Sequence, residues 1–438
     1  MTKWVLGTSG LAIAWIAAVV IGSLEGGCRA PLAPRGDFAA FAEAAHAHVG
    51  AECRGNAVVL LIEDGVVRDE YACSVGEPVD RDSVFQVASL SKWISAWGVM
   101  ALVDSGRVAL DAPVSTYLVR WHLPDGEFDD AGVTVRRLLS HTAGLTDGLG
   151  YGGFGPGERV QTIEESLTMA ADRMPHASGA VVVGREPGSR WEYSGGGYAL
   201  LQLLVEDVTG EAFESYMRRV VLGPLGMRDS TFDWTRAERA RLADSYDVDA
   251  TRAPQRHYTA VAAASLYTTA SDLARFLAAH VPGRAGEPVG RGVLAPRTVE
   301  QMWVPEASLL GRDIWGLGVI LHARNAAGRF VVGHDGTNLP AINTAVRLDP
   351  DTGDAIVALA TGAPRLATTI AGEWVFWETG NVDVFAFGAG AGVERVLGRA
   401  ATGAAVIVVV AILAAQWRRR ARPAGPPPPQ PRGAGGRA

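Results

Sequence analysis

Hydrophobic positions in this chain fall into three regimes. Two runs without charge lie near the ends, at 4–24 and 400–417. Between them, toward both edges of the intervening stretch, apolar residues come in short runs bounded by turn residues. "NAVVLLIEDGVVRDEYA" reads as two strands joined through Asp64-Gly65, and "IWGLGVILHA", "RFVVGHDG", "NTAVRLD" and "DAIVALAT" read as four more. Turn residues at 326–328 and 350–353 separate the later strands. The remaining segments carry helical patterning over 39–48, 92–104, 164–173, 198–209 and 365–379. The second of these stops at "DSG", where Gly106 can take the left-handed conformation of a helix C-terminus. Strands at both edges with helices between them predict an α/β fold whose two ends share one antiparallel sheet with flanking helices.

The terminal runs add membrane segments. Residues 4–24 follow Lys3, end near the small residues Gly22 and Ser23, and are long enough to span a bilayer, so 1–28 is either a signal peptide or an N-terminal anchor. Residues 399–417 form a second span, and the arginines of "WRRRAR" predict that the basic, proline-rich tail 418–438 is cytoplasmic. One domain over 36–380 and a glycine-rich linker over 381–398 then lie outside the cytoplasm. A formal charge of −7 speaks against a nucleic-acid partner. Cys53 and Cys73 flank the predicted hairpin, which leaves two outcomes open, a disulfide or two buried thiols. Cys28 follows "LEGG", a poor lipid-attachment context, and lipidation is not predicted.

Composition singles out one residue. Of forty Lys+Arg, only Lys3 and Lys92 are lysines, and Lys92 stands three residues after Ser89. At a helix start this spacing puts both side chains on one face. A serine hydroxyl needs a base to become a nucleophile, and an amine can serve if burial strips its proton. Arginine cannot. The pattern therefore points to Ser89 as nucleophile and Lys92 as its base.

The stretch "FQVASLSKWISAWGVMALVDSGRVALDAPVSTYL" resembles the nucleophile region of the serine β-lactamase and penicillin-binding-protein-like superfamily. The similarity is to the branch holding class C β-lactamases, D-aminopeptidases, D-alanyl-D-alanine carboxypeptidases and related esterases. "VRRLLSHTAGLTDG", "WEYSGGGYALLQLLVEDVTG" with its continuation, and "SLYTTASDLARF" resemble later blocks of that branch in the same order, and "VVGHDGTN" sits where the family has its K-T-G or H-x-G motif. The resemblance implies a mostly helical second lobe beside the sheet, and an acyl-enzyme on Ser89. It also implies that Lys92 and Tyr193 share the acid–base work, that the N–H groups of Ser89 and Thr337 form an oxyanion hole, and that His334 and Gly336 line the substrate site.

Two positions depart from the family pattern. Gly195 stands where an asparagine usually contacts substrate and helps hold the lysine. His334 replaces a lysine, and a histidine near its ordinary pKa of about 6.5 is mostly neutral at pH 7 and binds a carboxylate weakly. Both departures point toward an ester or D-amino-peptide substrate. A β-lactamase is one alternative; a non-catalytic membrane sensor of cell-wall fragments or β-lactams is another. His141 reads as structural. "GLGYGG" at 148–153 lacks the strand-before, helix-after setting of a dinucleotide loop and reads as a mobile loop near the site mouth. "DPDTGD" reads as a hairpin turn rather than a calcium loop, and neither H-E-x-x-H nor C-x-x-C occurs, so no metal or other cofactor is predicted.

Overall fold

The computed structural model describes residues 2–24, 26, 29–148, 150–383, 385–386 and 391–420; Cys28 and the tail from 421 onward fall outside them. The chain divides into two units, one of residues 30–390 and one formed by the terminal segments.

In the terminal unit, helix α1 (Thr2–Leu24) and the C-terminal helix Ala391–Arg420 lie together, with Trp15 Nε1 donating to the Arg399 carbonyl at 3.4 Å. Among the described residues one helical stretch, Val396–Trp417, is long and apolar enough to cross a membrane, with a mean hydropathy of 2.3. Leu397, Val406, Ile412 and Leu413 are exposed along it, so it is not a buried core helix. The apolar part of α1, Thr8–Ser23, is shorter.

The larger unit is built on one antiparallel sheet of eight strands. In chain order these are β1 (Asn56–Glu63), β2 (Val66–Ser74), β3 (Ala307–Leu309), β4 (Arg312–Trp315), β5 (Ile320–Arg324), β6 (Phe330–Asn338), β7 (Ile342–Leu348) and β8 (Ala355–Ala360). Their order across the sheet is β2-β1-β8-β7-β6-β5-β4-β3, so the N-terminal hairpin pairs with the last strand, Leu60 opposite Val357. The two edges of the domain thus share one sheet, as the strand pattern predicts.

Alternation along the central strands sorts their side chains into two cores. Val58, Leu60 and Ile62 of β1, with Val357 and Leu359 of β8, face the helical lobe, where they join Trp93, Trp97, Leu200 and Phe276. Ala57, Val59 and Leu61, with Ile356 and Ala358, face the other way onto Phe41 and Val49 of helix α2 (Phe38–Glu52) and Ile370 and Trp374 of the helix Leu366–Thr379. Strands covered on both faces need apolar residues at every position, which is why "NAVVLLI" and "AIVALA" read as continuous runs. Cys53 at the end of α2 and Cys73 on β2 form a disulfide, with Cα atoms 6.6 Å apart, which settles the alternative left by the spacing.

Three elements differ from the sequence expectation. "IWGLGVILHA" is two strands, because Gly318 at φ 78° turns the chain between Trp315 and Ile320, which pair across the turn. β3 is a three-residue edge strand too short to leave a pattern. The helix expected over 164–173 ends at Thr168: Gln161 donates to the Met169 carbonyl and accepts from the Ala171 N–H, and these two bonds pull the chain out of helical register.

Candidate active site

Ser89 sits in a single 3₁₀ turn, Ala88–Leu90, that runs straight into helix α3 (Ser91–Asp104). The residue before it, Ala88, has φ 48°, a left-handed conformation that costs a non-glycine residue roughly 1 kcal/mol or more. Several contacts hold the turn in place. The Val87 N–H donates to the Leu266 carbonyl at 3.0 Å, Thr344 Oγ1 donates to the Val87 carbonyl at 2.9 Å, and Ser91 Oγ donates to the Ala88 carbonyl at 2.5 Å. Strand β6 crosses directly over this turn at Gly336. A Cβ at that position collides with the Val87 carbonyl oxygen and Thr344 Oγ1. Glycine is required there by close approach.

One helical turn on, Lys92 Nζ lies 3.3 Å from Ser89 Oγ and donates to the Ala263 carbonyl at 2.8 Å. Lys92 is only 2% exposed, and burial pulls its pKa from 10.5 down to about 7, with the Asp147 charge acting in the opposite direction. Tyr193 lies on the other side, its ring 4.9 Å from Lys92 Nζ and its hydroxyl within reach of Ser89. Burial raises the Tyr193 pKa, so the phenol is protonated. The structure therefore brings the serine, the amine and the phenol together.

The same cavity, about 480 Å³, is lined by Ser89, Lys92, Tyr193, His334 and Thr337, and by Tyr151, Trp191 and Trp315 among others. His334 Nδ1 donates to the Asp335 carbonyl at 2.7 Å, which leaves Nε2 as an acceptor. Burial and the nearby Lys92 hold its pKa down to about 3. This is a stronger shift toward neutrality than an ordinary histidine shows, and it leaves no cation at the third motif.

Gly195 opens helix α4 (Gly195–Thr209), and its departure from the family pattern has a local cause. A Cβ there stands 3.0 Å from Tyr151 Cε2 and 3.2 Å from Gly150 Cα. Gly150 and Tyr151 crowd the space an asparagine side chain needs, and Asn338 Nδ2 of β6 holds Tyr151 through its carbonyl at 3.0 Å. Gly150 and Tyr151 are thus part of the site wall. His141 is buried, accepts the Ser194 N–H on Nδ1 at 3.2 Å and packs 4.4 Å from the Tyr193 ring, which fits its reading as structural. The acids of "DPDTGD" belong to the β7–β8 turn, where Asn325 Nδ2 donates to Asp349 and Asp351 at 2.8 and 2.6 Å.

Some residues of the site escaped the sequence reading. Asp147 is buried, accepts from the Gly196 N–H at 2.8 Å and from the Ser194 hydroxyl, and so holds the corner that carries Tyr193. It lies inside a block that resembles the family, but a lone acid six residues after His141 carries no spacing signal of its own. Trp191, two residues before Tyr193, was equally silent.

A pH dependence follows from the groups around Lys92. His141 and His334 are kept neutral by burial and by Lys92, the two tyrosines near Nζ, Tyr193 and Tyr198, stay protonated, and Asp147 supplies the opposing charge. Below pH 7 the amine holds its proton and cannot take one from Ser89. The rate at which a fluorophosphonate labels Ser89 is expected to fall about tenfold per pH unit below 7 and to level above it. Asp147→Asn removes the charge that favours protonated Lys92, so the midpoint moves to lower pH. Labelling rates between pH 5 and 9 read this directly, and a midpoint that stays put or rises contradicts the assignment.

Comparison with known proteins gives three consistent results. The family model for Beta-lactamase matches residues 41–374. Esterase EstB of Burkholderia gladioli is 36% identical over 181 residues, 39% of this chain and 43% of that protein. Penicillin-binding protein 4 of Amycolatopsis lactamdurans is 30% identical over 277 residues, 60% of this chain and 68% of that protein. For several curated relatives the matched stretch spans about half of the relative's length or less. Among solved structures, the octameric penicillin-binding protein homologue from Pyrococcus abyssi superposes with a TM-score of 0.62 at 24% identity over 76% of each chain, a likeness of fold.

Proposed function

Because this chain belongs to the Beta-lactamase family, whose members include serine hydrolases, we propose that it hydrolyses ester or amide bonds through an acyl-enzyme on Ser89. One observation carries the reading. A lysine whose pKa is lowered to about 7 stands 3.3 Å from a half-buried serine at the floor of a cavity. Neutral Lys92 takes the Ser89 proton as the hydroxyl attacks the carbonyl carbon. The N–H groups of Ser89 and Thr337 receive the oxyanion, and Tyr193 passes a proton to the leaving group. Water then releases the acyl group by the reverse relay.

Small esters and D-amino peptides are the proposed substrates. The esterase and penicillin-binding-protein relatives support this class, and neutral His334 supports it further, since the carboxylate of a β-lactam finds no cation at the third motif. The apolar stretch Val396–Trp417 is proposed to anchor the domain outside the cytoplasm with the arginine-rich tail inside. The disulfide fits an oxidising compartment.

The test is intact-mass labelling of the full chain in detergent with a small fluorophosphonate. A single adduct that maps to Ser89 and is absent from Ser89→Ala is the expected result, followed by turnover of p-nitrophenyl esters. Absence of an adduct on folded protein refutes the nucleophile. A stable adduct with no ester turnover shifts the reading to an acyl-binding sensor.

A further inference from the structure

We propose that the segment following the helix Leu366–Thr379 belongs to the substrate site, and that Phe385 provides the surface against which the apolar part of the substrate is buried. The inference rests on the reading of Ser89 as a hydrolytic nucleophile and adds the class of group that the site selects. Residues 381–386 fall in the stretch that the sequence assigns to a linker. In the structure Phe385 lines the cavity of Ser89. Its ring meets Trp315 at 6.0 Å and Trp191 at 6.4 Å, both edge-on, and these two rings line the same cavity. The three side chains form one aromatic wall.

The segment is held from below by buried charge. Asp383 is 1% exposed and accepts from Arg347 Nε at 2.8 Å and from His322 Nδ1 at 3.1 Å. Its Oδ1 also accepts the N–H groups of Phe385 and Ala386, at 3.0 and 3.1 Å. Arg347, itself fully buried, reaches Asp335 Oδ1 at 2.6 Å, and Asp335 lines the cavity. Ala386 seats against Gly372, where a Cβ would overlap it. Withdrawing Asp383 leaves the buried Arg347 guanidinium with one carboxylate partner in place of two, which is a costly state. The ion pair therefore fixes where Phe385 stands.

The chemistry of the lining names the substrate group. Lys92 already bonds to Ala263 and Ser89, His334 is neutral, and the charged side chain that lines the cavity besides Lys92 is the carboxylate of Asp335, already paired with Arg347. An anionic group is disfavoured there. Trp191, Trp315, Ile320, Met174 and Phe385 offer an apolar surface instead. The site fits an uncharged aliphatic or aromatic acyl group.

The experiment compares p-nitrophenyl hexanoate with p-nitrophenyl acetate on the full chain in detergent. Phe385→Ala is expected to lower the hexanoate-to-acetate ratio of kcat/KM by roughly tenfold, carried by KM of the longer ester, as loss of apolar contact predicts. Phe385→Leu, which keeps an apolar side chain, is expected to move the ratio the same way by less and serves if the alanine variant does not fold. A ratio within twofold of the wild-type value, a rise, or an equal loss on both esters overturns the proposal, the last by showing a packing role alone. If wild-type protein is not labelled at Ser89, the underlying hydrolase reading falls first. If it is labelled and turns over esters while the ratio stays fixed, this inference alone fails.

Discussion

Lys92→Arg is expected to slow acylation of Ser89 by about a thousandfold, the size of a lost general base. The substitution keeps a long cationic side chain and removes only the ability to be neutral. Lys92 reaches a pKa of about 7 because it is buried, whereas a guanidinium stays charged in the same surroundings. The larger head group must also fit between the Ala263 carbonyl and the Tyr193 and Tyr198 rings. Lys92→Met separates the two effects, since it is uncharged, similar in length and equally unable to accept a proton. Both variants are expected to melt cooperatively and to react at the same low rate with a fluorophosphonate. Labelling of either within tenfold of wild type means that Lys92 is not the base.

Gly336→Ala is expected to cost about a hundredfold in acylation rate, the penalty for moving a reacting group by roughly 1 Å. No catalytic atom is changed. The added methyl meets the Val87 carbonyl and the Thr344 hydroxyl, the two groups whose bond fixes the turn before Ser89. Either β6 lifts, which carries His334 and Thr337 away, or the turn sinks and takes Ser89 with it. Both routes separate Ser89 from the Thr337 N–H. A melting temperature within a few degrees of wild type combined with the rate loss identifies displacement of the site rather than unfolding. A rate within threefold of wild type shows that the approach of β6 to the turn does not matter for catalysis.

These two residues mark the boundary between local and long-range information. Lys92 was legible because its relation to Ser89 is a matter of helical spacing, and because the chain's near-exclusive use of arginine made one lysine conspicuous. Gly336 was legible as part of a motif, but the reason for glycine comes from a strand meeting a turn almost 250 residues earlier in sequence, between Val87 and Gly336. Gly195 illustrates the same limit. Its sequence reading was the loss of a useful amide; its structural setting is the Gly150 backbone and the Tyr151 ring packed against the position that a side chain would take. Asp147 and Phe385 were invisible for a related reason. Each has a partner set that only folding assembles, the Tyr193 corner for one and, for the other, the aromatic wall and the buried Asp383 that accepts its N–H.

Tyr193 was identified through the family resemblance of its block, whereas the sequence's own patterning determined most of the strands and helices, the pairing of the domain's two edges in one sheet, the apolar terminal runs, and the Ser89–Lys92 pair. Those features depend on periodicity, turn residues and short spacings, which act between neighbours in the chain. The tertiary structure decided the disulfide, the strong downward shift that keeps His334 neutral even in acid, the identity of the residue opposing Lys92, and the wall supplied by Phe385. Burial, dielectric environment and contact across the sheet belong to the space between elements, and no local pattern along the chain encodes them.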